Sequence, residues 1–474
     1  MSAPELPESY DLIVIGGGPA GQKAAIQAAK LGRRVLLVDR QRAVGGECVH
    51  RGTIPSKSLR ESAVYLSGLR QRTQGLLDLE LSGDVKVASL MRRLDTVLGR
   101  HEHYMESQLR RNGIELRHGR ARFLSPHELE IASCEGGAVR ARADFIVIAT
   151  GSRPRRPPGI PVDHEHVLDS DSILSLIYLP RSLTVLGSGV IAAEFASIFA
   201  ALGVEVTMID RYERPLGFLD PELTDCFTRV YERQGGRFLP LRKVRSVAWD
   251  GVATVVTELE DGEVLHSDKV LCAQGRVAEL SGLELAAAGL APNERGLLEV
   301  DANGRTAVPH VYAAGDVIGP PSLATASMEQ GRRAVRHALG MDVGVGPELI
   351  PAGIYTIPEM SCVGLSEQQA RERHGEVLVG RAHYEELARG QINGHPEGLI
   401  KLVADAGGDR LLGAHIVGEG AAELIHVAQL ALVTELPVEG FVENLFNFPT
   451  LAEGYRVAAL DILGQRRQRL RRVV

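Results

Sequence analysis

A short apolar run, a glycine-rich turn and a helical stretch follow one another twice in this chain. That repeat constrains the fold more than any other feature of its 474 residues. In the first copy Tyr10-Asp11-Leu12-Ile13-Val14-Ile15 is apolar and β-branched, as a strand buried on both faces of a parallel sheet would be. Gly16-Gly17-Gly18-Pro19-Ala20-Gly21 makes the turn, residues 22–31 read as a helix, and Gly32 closes it as a C′ residue. Arg34-Val35-Leu36-Leu37-Val38-Asp39 is the next strand. In the second copy Ser182-Leu183-Thr184-Val185-Leu186 is the strand and Gly187-Ser188-Gly189-Val190-Ile191-Ala192 the turn. Residues 193–202 form the helix, Gly203 ends it, and residues 204–210 form the following strand.

Each turn has the chemistry of a dinucleotide site. Gly16 makes the tight turn, Gly18 lets a pyrophosphate approach the backbone, and Gly21 permits close packing of helix on strand. The helix N-terminus then offers free N–H groups to the anion. Asp39 ends the second strand, roughly twenty residues on, and can accept hydrogen bonds from a ribose diol. In the second copy Gly187 and Gly189 are followed by Ala192, an accepted variant at the packing position, and Asp210 stands at the ribose position. An acid there repels the 2′-phosphate of NADP, whereas Arg211 and Arg214 close by accommodate it. The second site thus carries signals for both nicotinamide nucleotides, with solvated loop arginines as the plainer reading.

Between the copies, residues 153–161 read as a linker containing Pro154, Pro157, Pro158 and Pro161. The second fold ends near Arg276, and Val311-Tyr312-Ala313-Ala314-Gly315-Asp316 returns to the first. Beyond about residue 345, residues 353–363, 398–403 and 411–417 are strand-like, and residues 421–434 form an apolar-faced helix. The expected class is α/β, with two Rossmann-like (doubly wound) dinucleotide-binding domains plus an α+β C-terminal interface domain; that residues 311–316 return to the first fold and that the last domain forms an interface is what a family resemblance implies, not what the pattern of elements shows. Its expected segments are 1–165 and 285–344 for the first domain, 166–284 for the second and 345–474 for the third.

Composition removes several alternatives. The length suggests roughly three domains, and a net charge of −7 gives no sign of a nucleic-acid partner. The basic tail Arg466-Arg467-Gln468-Arg469-Leu470-Arg471-Arg472 reads as a solvated, frayed terminus. Five cysteines, Cys48, Cys134, Cys226, Cys272 and Cys362, are odd in number and widely spaced, with no Cys/His cluster for a metal. No secretory leader precedes the first strand and no apolar run is long enough for a membrane span. A reducing, cytoplasmic setting is expected.

The loop Gly45-Gly46-Glu47-Cys48-Val49-His50-Arg51-Gly52-Thr53, followed by Pro55-Ser56-Lys57, resembles the active-site loop of the flavoprotein disulfide reductases. That family carries Cys-x4-Cys here, a redox disulfide beside the flavin. This chain has Cys48 and then Thr53, and a hydroxyl cannot close a disulfide. The family's His-Pro-Thr-x-x-Glu, whose His is the acid–base for a thiol, appears as Phe448-Pro449-Thr450-Leu451-Ala452-Glu453. Ala149-Thr150-Gly151-Ser152-Arg153-Pro154 and Gly315-Asp316 match as well, and the resemblance spans about residues 8–465. One branch has lost both the second thiol and the base in this way: the soluble pyridine nucleotide transhydrogenases.

The resemblance implies non-covalent FAD in the N-terminal fold, with NAD and NADP as substrates in the second. Gly16, Gly18, Gly21, Asp39, Gly45, Gly46, Cys48, Lys57, Thr150, Gly151, Asp316 and Ala324 would hold FAD, with Asp316 at its ribityl or phosphate region. Gly187, Gly189, Ala192, Glu194, Asp210, Arg211, Arg214 and Gly275 would hold the nicotinamide nucleotide. Lys57 and Glu194 would pair beside the flavin and position the nicotinamide ring, and as a plain buried pair they would have to satisfy each other anyway. Cys48 would be a retained packing residue or a sensor thiol. Phe448 would reach the flavin site of another subunit and shape a pocket without acid–base work, while Glu453 keeps its place. The reaction implied is NADPH + NAD⁺ ⇌ NADP⁺ + NADH, ping-pong and Si-specific. A diaphorase or quinone reductase shares the first half-reaction, and a flavin-bound redox sensor is the non-enzymatic alternative. A homodimer or higher homo-oligomer is implied, with no nucleic acid, membrane or metal.

Overall fold

The structure is a computed structural model that describes residues 8–73, 87–133, 136–346, 348–394 and 396–473; Cys134 lies outside the described residues. The chain divides into two compact units. The first comprises Met1–Ser58, Ser89–Arg155 and Gly275–Gly346, and the second Leu59–Ala88, Arg156–Gln274 and Pro347–Val474.

In chain order the first repeat is β1 (Glu8–Ile15), α1 (Pro19–Lys30) and β2 (Val35–Asp39). The short α2 (Gly46–His50) and the long α3 (Thr53–Thr73) and α4 (Val87–Arg111) lead to β3 (Glu115–Ser125), β4 (Glu128–Ser133) and β5 (Ala138–Ile148). After β6 (Ser152–Pro154) and β7 (Val167–Leu168), the second repeat is β8 (Ser182–Leu186), α5 (Val190–Ala201) and β9 (Glu205–Ile209). It continues through α6 (Pro221–Arg233), β10 (Arg237–Leu239), β11 (Val244–Trp249), β12 (Val255–Leu259), β13 (Val264–Ser267) and β14 (Lys269–Cys272). Next come β15 (Arg276–Ala278), β16 (Val311–Ala313) and α7 (Ala324–Ala338). The C-terminal part holds β17 (Ala352–Ile354), β18 (Met360–Gly364), α8 (Glu367–His374), β19 (Leu378–His383), α9 (Ala388–Asn393), β20 (Leu399–Ala404) and β21 (Leu411–Val417). It ends with α10 (Ala421–Val433), α11 (Glu439–Glu443) and α12 (Glu453–Val473).

In the first unit the parallel strands run β3-β2-β1-β5-β16, and β3, β4 and β5 extend them as an antiparallel meander. Both faces are buried. Ile13, Leu36, Ile146 and Val311 pack on one, and Leu12, Val14, Leu37 and Val147 pack on the other with α1 and α7. Each such side chain contributes about 1.5–3 kcal/mol. The two helices meet at Gly331, where a Cβ would lie 2.1 Å from the Ala20 carbonyl oxygen. α1 begins at Pro19, ahead of the expected residue 22, because proline's fixed φ and missing N–H suit a helix's first position.

In the second unit the parallel sheet is β10-β9-β8-β14-β7, and the C-terminal sheet β17-β18-β21-β20-β19 is antiparallel throughout. Three expectations change. The run 353–363 is two antiparallel strands, β17 and β18, separated by a turn containing Pro358, which has no N–H for a ladder. The start of the expected linker is β6, paired with β15. The basic tail is not frayed: α12 continues to Val473, Ile462 and Leu463 are buried, and Arg466 and Arg469 reach Asp409 at 2.8 Å and Glu376 at 3.1 Å.

One unanticipated cluster holds α6 to this sheet. Lys401 on β20 is 2% exposed. Its Nζ lies 2.9 Å from Asp220 Oδ2, 2.6 Å from Glu222 Oε1 and 2.8 Å from Glu367 Oε2. Asp220 is also the N-cap of α6, and Arg381 donates two hydrogen bonds to Glu222. No helix of the described residues is long and apolar enough to cross a membrane.

Candidate dinucleotide and redox sites

At the end of β1 the backbone itself forms the site. Gly16 has φ +106°, and a Cβ there would lie 2.3 Å from the Ala149 carbonyl oxygen. A Cβ on Gly21 would lie 1.8 Å from the Gly16 carbonyl oxygen. Neither position can take a side chain without backbone movement. A second glycine segment lies against the first: Gly45 N donates to Gly17 O at 3.0 Å, and a Cβ on Gly46 would sit 2.9 Å from Gly18 Cα. No side chain caps α1 at Gly18, so its first N–H groups suit an anion.

Asp39 does more than the sequence suggested. Its Oδ2 accepts from Gly17 N at 2.6 Å and its Oδ1 from Gln41 N at 2.8 Å. It therefore braces the turn, while each oxygen keeps a lone pair for a ribose hydroxyl. Burial pushes its carboxyl pKa up, opposed by those two N–H donors.

Asp316 follows β16 and ends a polar chain. Ser152 Oγ donates to Asp316 Oδ2 at 2.6 Å, and Arg276 Nε donates to Ser152 Oγ at 2.8 Å. Arg276 also donates to the Ser152 carbonyl at 2.8 Å and lies 3.7 Å from Glu47. Gly315 N donates to Gln330 Oε1 at 2.9 Å. Gly151 has φ +70°, and Ala324 is the first residue of α7. Beside Gly151, Thr150 Oγ1 is buried with no hydrogen-bond partner among the described residues. A buried hydroxyl left so is costly unless a ligand satisfies it. The closed glycine slot, the braced Asp39 and this orphan hydroxyl follow the carboxyl ends of β1, β2 and β5, where such sheets bind nucleotides. They fit FAD.

Cys48 lies in α2, Thr53 starts α3, and Lys57 stands one turn further on. Burial raises the Cys48 thiol pKa, opposed in part by its hydrogen bond with Thr53 and by the Lys57 ammonium. It is therefore protonated at neutral pH, not the nucleophilic thiolate. Lys57 Nζ donates to Ser56 Oγ at 3.3 Å. Cys48, Cys226, Cys272 and Cys362 are all free thiols, and burial pushes Cys362 up to about 11. No group of His, Cys, Asp and Glu among the described residues suits a metal ion.

In the second unit the β8–α5 turn repeats the design. Gly187 has φ +108° and a Cβ there would meet the Ala273 carbonyl oxygen at 2.7 Å, whereas Gly189 faces open space. Ala192 is fully buried. Ser188 Oγ donates to Asp210 Oδ2 at 2.7 Å, as Gly17 N does to Asp39. Arg214 pairs with Asp225, and Arg211 lies over the Tyr212 ring at 4.9 Å. Glu194 on α5 is 4% exposed and accepts from Tyr355 N at 2.9 Å. Gly275, with φ +100°, belongs to the first unit, as Lys57 does. Phe448 is 74% exposed, and Glu453 accepts from Thr450 N at 3.4 Å. Val427, Leu430 and Val433 give α10 an exposed apolar face.

Sequence reading missed Ser152, Arg276, Gln330 and Ser188 as supports. Ser152 and Ser188 sit inside the motifs quoted above, but nothing local marks Arg276 or Gln330.

A family model described as pyridine nucleotide-disulphide oxidoreductase matches residues 10–331, and the model of that family's dimerisation domain matches residues 350–459. A soluble pyridine nucleotide transhydrogenase of Mycobacterium tuberculosis is 43% identical over 462 residues, covering 97% of this chain and 98% of that protein. One from Hahella chejuensis is 39% identical over 459 residues, covering 96% and 98%. Among solved structures, LpdA from Mycobacterium tuberculosis superposes with a TM-score of 0.87 at 28% identity, covering 95% of this chain and 99% of that one. The HOCl-induced flavoprotein disulfide reductase RclA from Escherichia coli superposes at 0.86 and 27% identity, covering 95% and 99%.

Proposed function

Because this chain belongs to the pyridine nucleotide-disulphide oxidoreductase family and carries its dimerisation domain, we propose that it is a soluble, Si-specific NAD(P)⁺ transhydrogenase. It passes hydride from NADPH to NAD⁺ without a redox disulfide. The observation that carries this reading is Thr53 hydrogen-bonded to Cys48 where the family's second thiol stands, in a chain 43% identical to proteins of that name. FAD, when bound, supplies the two-electron carrier that makes the exchange ping-pong.

The residues of the chain bind and orient. In this reading segments 1–165 and 285–344 hold FAD through Gly16, Gly18, Gly21, Asp39, Gly45, Gly46, Thr150, Gly151, Asp316 and Ala324, with Ser152 and Arg276 fixing Asp316. Segment 166–284 takes each nicotinamide nucleotide in turn through Gly187, Gly189, Ala192 and Asp210. Lys57 and Glu194 set the nicotinamide ring, and orientation is what this transfer needs, since no proton moves through a protein acid or base. Segment 345–474 builds a homodimer, in which Phe448 walls the partner's site. A cytoplasmic location suits free, protonated thiols.

The purified protein should be yellow and release FAD on denaturation. Initial rates with NADPH and thio-NAD⁺ varied together should give parallel double-reciprocal lines. Intersecting lines would rule out ping-pong exchange, and no thio-NADH at all would rule out the transhydrogenase.

A further inference from the structure

Residues 355–359 join β17 to β18, and their backbone is bonded to two helices. On α5, Glu194 Oε1 accepts from Tyr355 N at 2.9 Å, and Ser197 Oγ accepts from Ile357 N at 3.1 Å. Glu194 and Ser197 are both buried, and Ser197 Oγ donates to the Glu194 carbonyl at 3.0 Å. The carbonyl between the two loop donors, Thr356 O, accepts from Arg60 Nε on α3 at 3.0 Å. Arg60 is 6% exposed, and its Nη1 lies 2.9 Å from Glu359 Oε1 and 2.6 Å from Glu61 Oε1. Glu359 closes the frame. Its Oε2 accepts from Ala422 N, in the first turn of α10, at 3.3 Å, and its carbonyl accepts from Gly418 N at 2.8 Å. Arg60, Glu194, Ser197 and the loop all belong to the second unit.

We infer that Arg60 is a positioning residue for hydride transfer, acting on Glu194 through the backbone of residues 355–357. The inference rests on the proposed reading in which Glu194 sets the nicotinamide ring. A guanidinium donates to a carbonyl through Nε and to a carboxylate through Nη1 at once, from one rigid plane. Arg60 thereby fixes the loop at Thr356 and Glu359, and the Tyr355 N–H between them and β17 stays aimed at Glu194. Without Arg60, the Thr356 carbonyl and the Glu359 carboxylate lose a donor in a buried place, and the loop must move to find another. Burial already pushes the Glu359 carboxyl pKa up, against the Arg60 guanidinium and the Ala422 N–H. A displaced Tyr355 N–H frees the Glu194 carboxylate to turn, and a misplacement of about 1 Å that starts far from the chemistry can slow an orientation-dependent transfer by about 10²-fold. The loop's two N–H donors go to Glu194 and Ser197 rather than to Gly187, Gly189 or Asp210, which in the same reading hold the dinucleotide. Affinity should therefore be spared while the rate falls.

The test is anaerobic stopped-flow reduction of the flavin by NADPH, on the holoenzyme. Glu194→Ala and Arg60→Met should each lower the limiting rate about 10- to 100-fold, with FAD content and the NADPH dissociation constant unchanged. The double variant should be no slower than the slower single one, because two residues that act on one orientation do not add. Arg60→Lys should recover part of the rate, since an ammonium can serve one of the two acceptors. Arg60→Met combined with Glu359→Gln leaves no unpaired buried charge, so it stands in if Arg60→Met folds poorly, and it should be as slow. A normal limiting rate in the Arg60 variants, a loss confined to FAD content or NADPH affinity, or losses that multiply in the double variant would overturn the inference and leave Glu194 its role. A normal rate in Glu194→Ala shows instead that the proposed role of Glu194 is wrong, and the inference falls with it. Rates as expected with no thio-NADH formed would sink the transhydrogenase reading and leave this inference standing.

Discussion

Lipoamide, glutathione disulfide and trypanothione disulfide should all remain unreduced when mixed with this protein and either NADH or NADPH. Reducing a disulfide by exchange needs a thiolate to attack it and a second thiol to release the product. Here Thr53 occupies the second position, and Cys48, raised by burial, is protonated near neutrality. In the proposed reading the acid–base group is missing too, since Phe448, which cannot exchange a proton, takes its place, and such a group typically contributes 10²–10⁴-fold by itself. The two losses act on the same step, so the expected rate is that of the uncatalysed mixture. Robust turnover of any one of the three disulfides would show that another thiol serves, and the reading of Thr53 would have to be given up.

Lys401→Ala should lower stability by about 3–5 kcal/mol, the usual cost of removing one partner from a buried ion pair. It leaves buried Asp220 without its ammonium, Glu222 with Arg381 alone, and Glu367 with Arg371 and Arg381. Lys401→Met should cost less together with Asp220→Asn than alone, because the neutral pair leaves no unpaired charge at that contact. The cluster also sets an acid limit. Glu222 is held down to about 2, first by its hydrogen bonds from Arg381 and then by Lys401, against an ordinary value of 4.5. A lowered carboxylate contributes its stability above the unfolded value, and that contribution disappears as pH falls from about 4.5 to about 2. Thermal melts of wild type and Lys401→Ala at neutral pH measure the first effect. A shift of less than about 2 °C would mean that the cluster is solvated and contributes little.

What could be read from the sequence was whatever local spacing encodes. β8 runs over the residues expected, because a β-branched run between a turn and a glycine has little else to form. The glycine turns were legible for the same reason: Gly16 and Gly187 have φ values that only glycine adopts easily. The supports were not legible, because they join residues far apart in the chain. Ser152 meets Asp316, and Lys401 meets Asp220. Spacing alone gives Arg211 and Arg214 equal weight, and only the fold brings Asp225 to Arg214. The run 353–363 failed for a related reason, since apolar residues on both sides of a turn look the same as one long strand.

Anaerobic reductive titration tests disulfide-free hydride transfer most directly. NADPH should bleach the oxidised flavin band at two electrons per FAD, with no thiolate-to-flavin charge-transfer band, and NAD⁺ added next should restore the oxidised spectrum in full. Uptake of four electrons per FAD with a long-wavelength charge-transfer band, or a reduced protein that NAD⁺ fails to reoxidise, would contradict it.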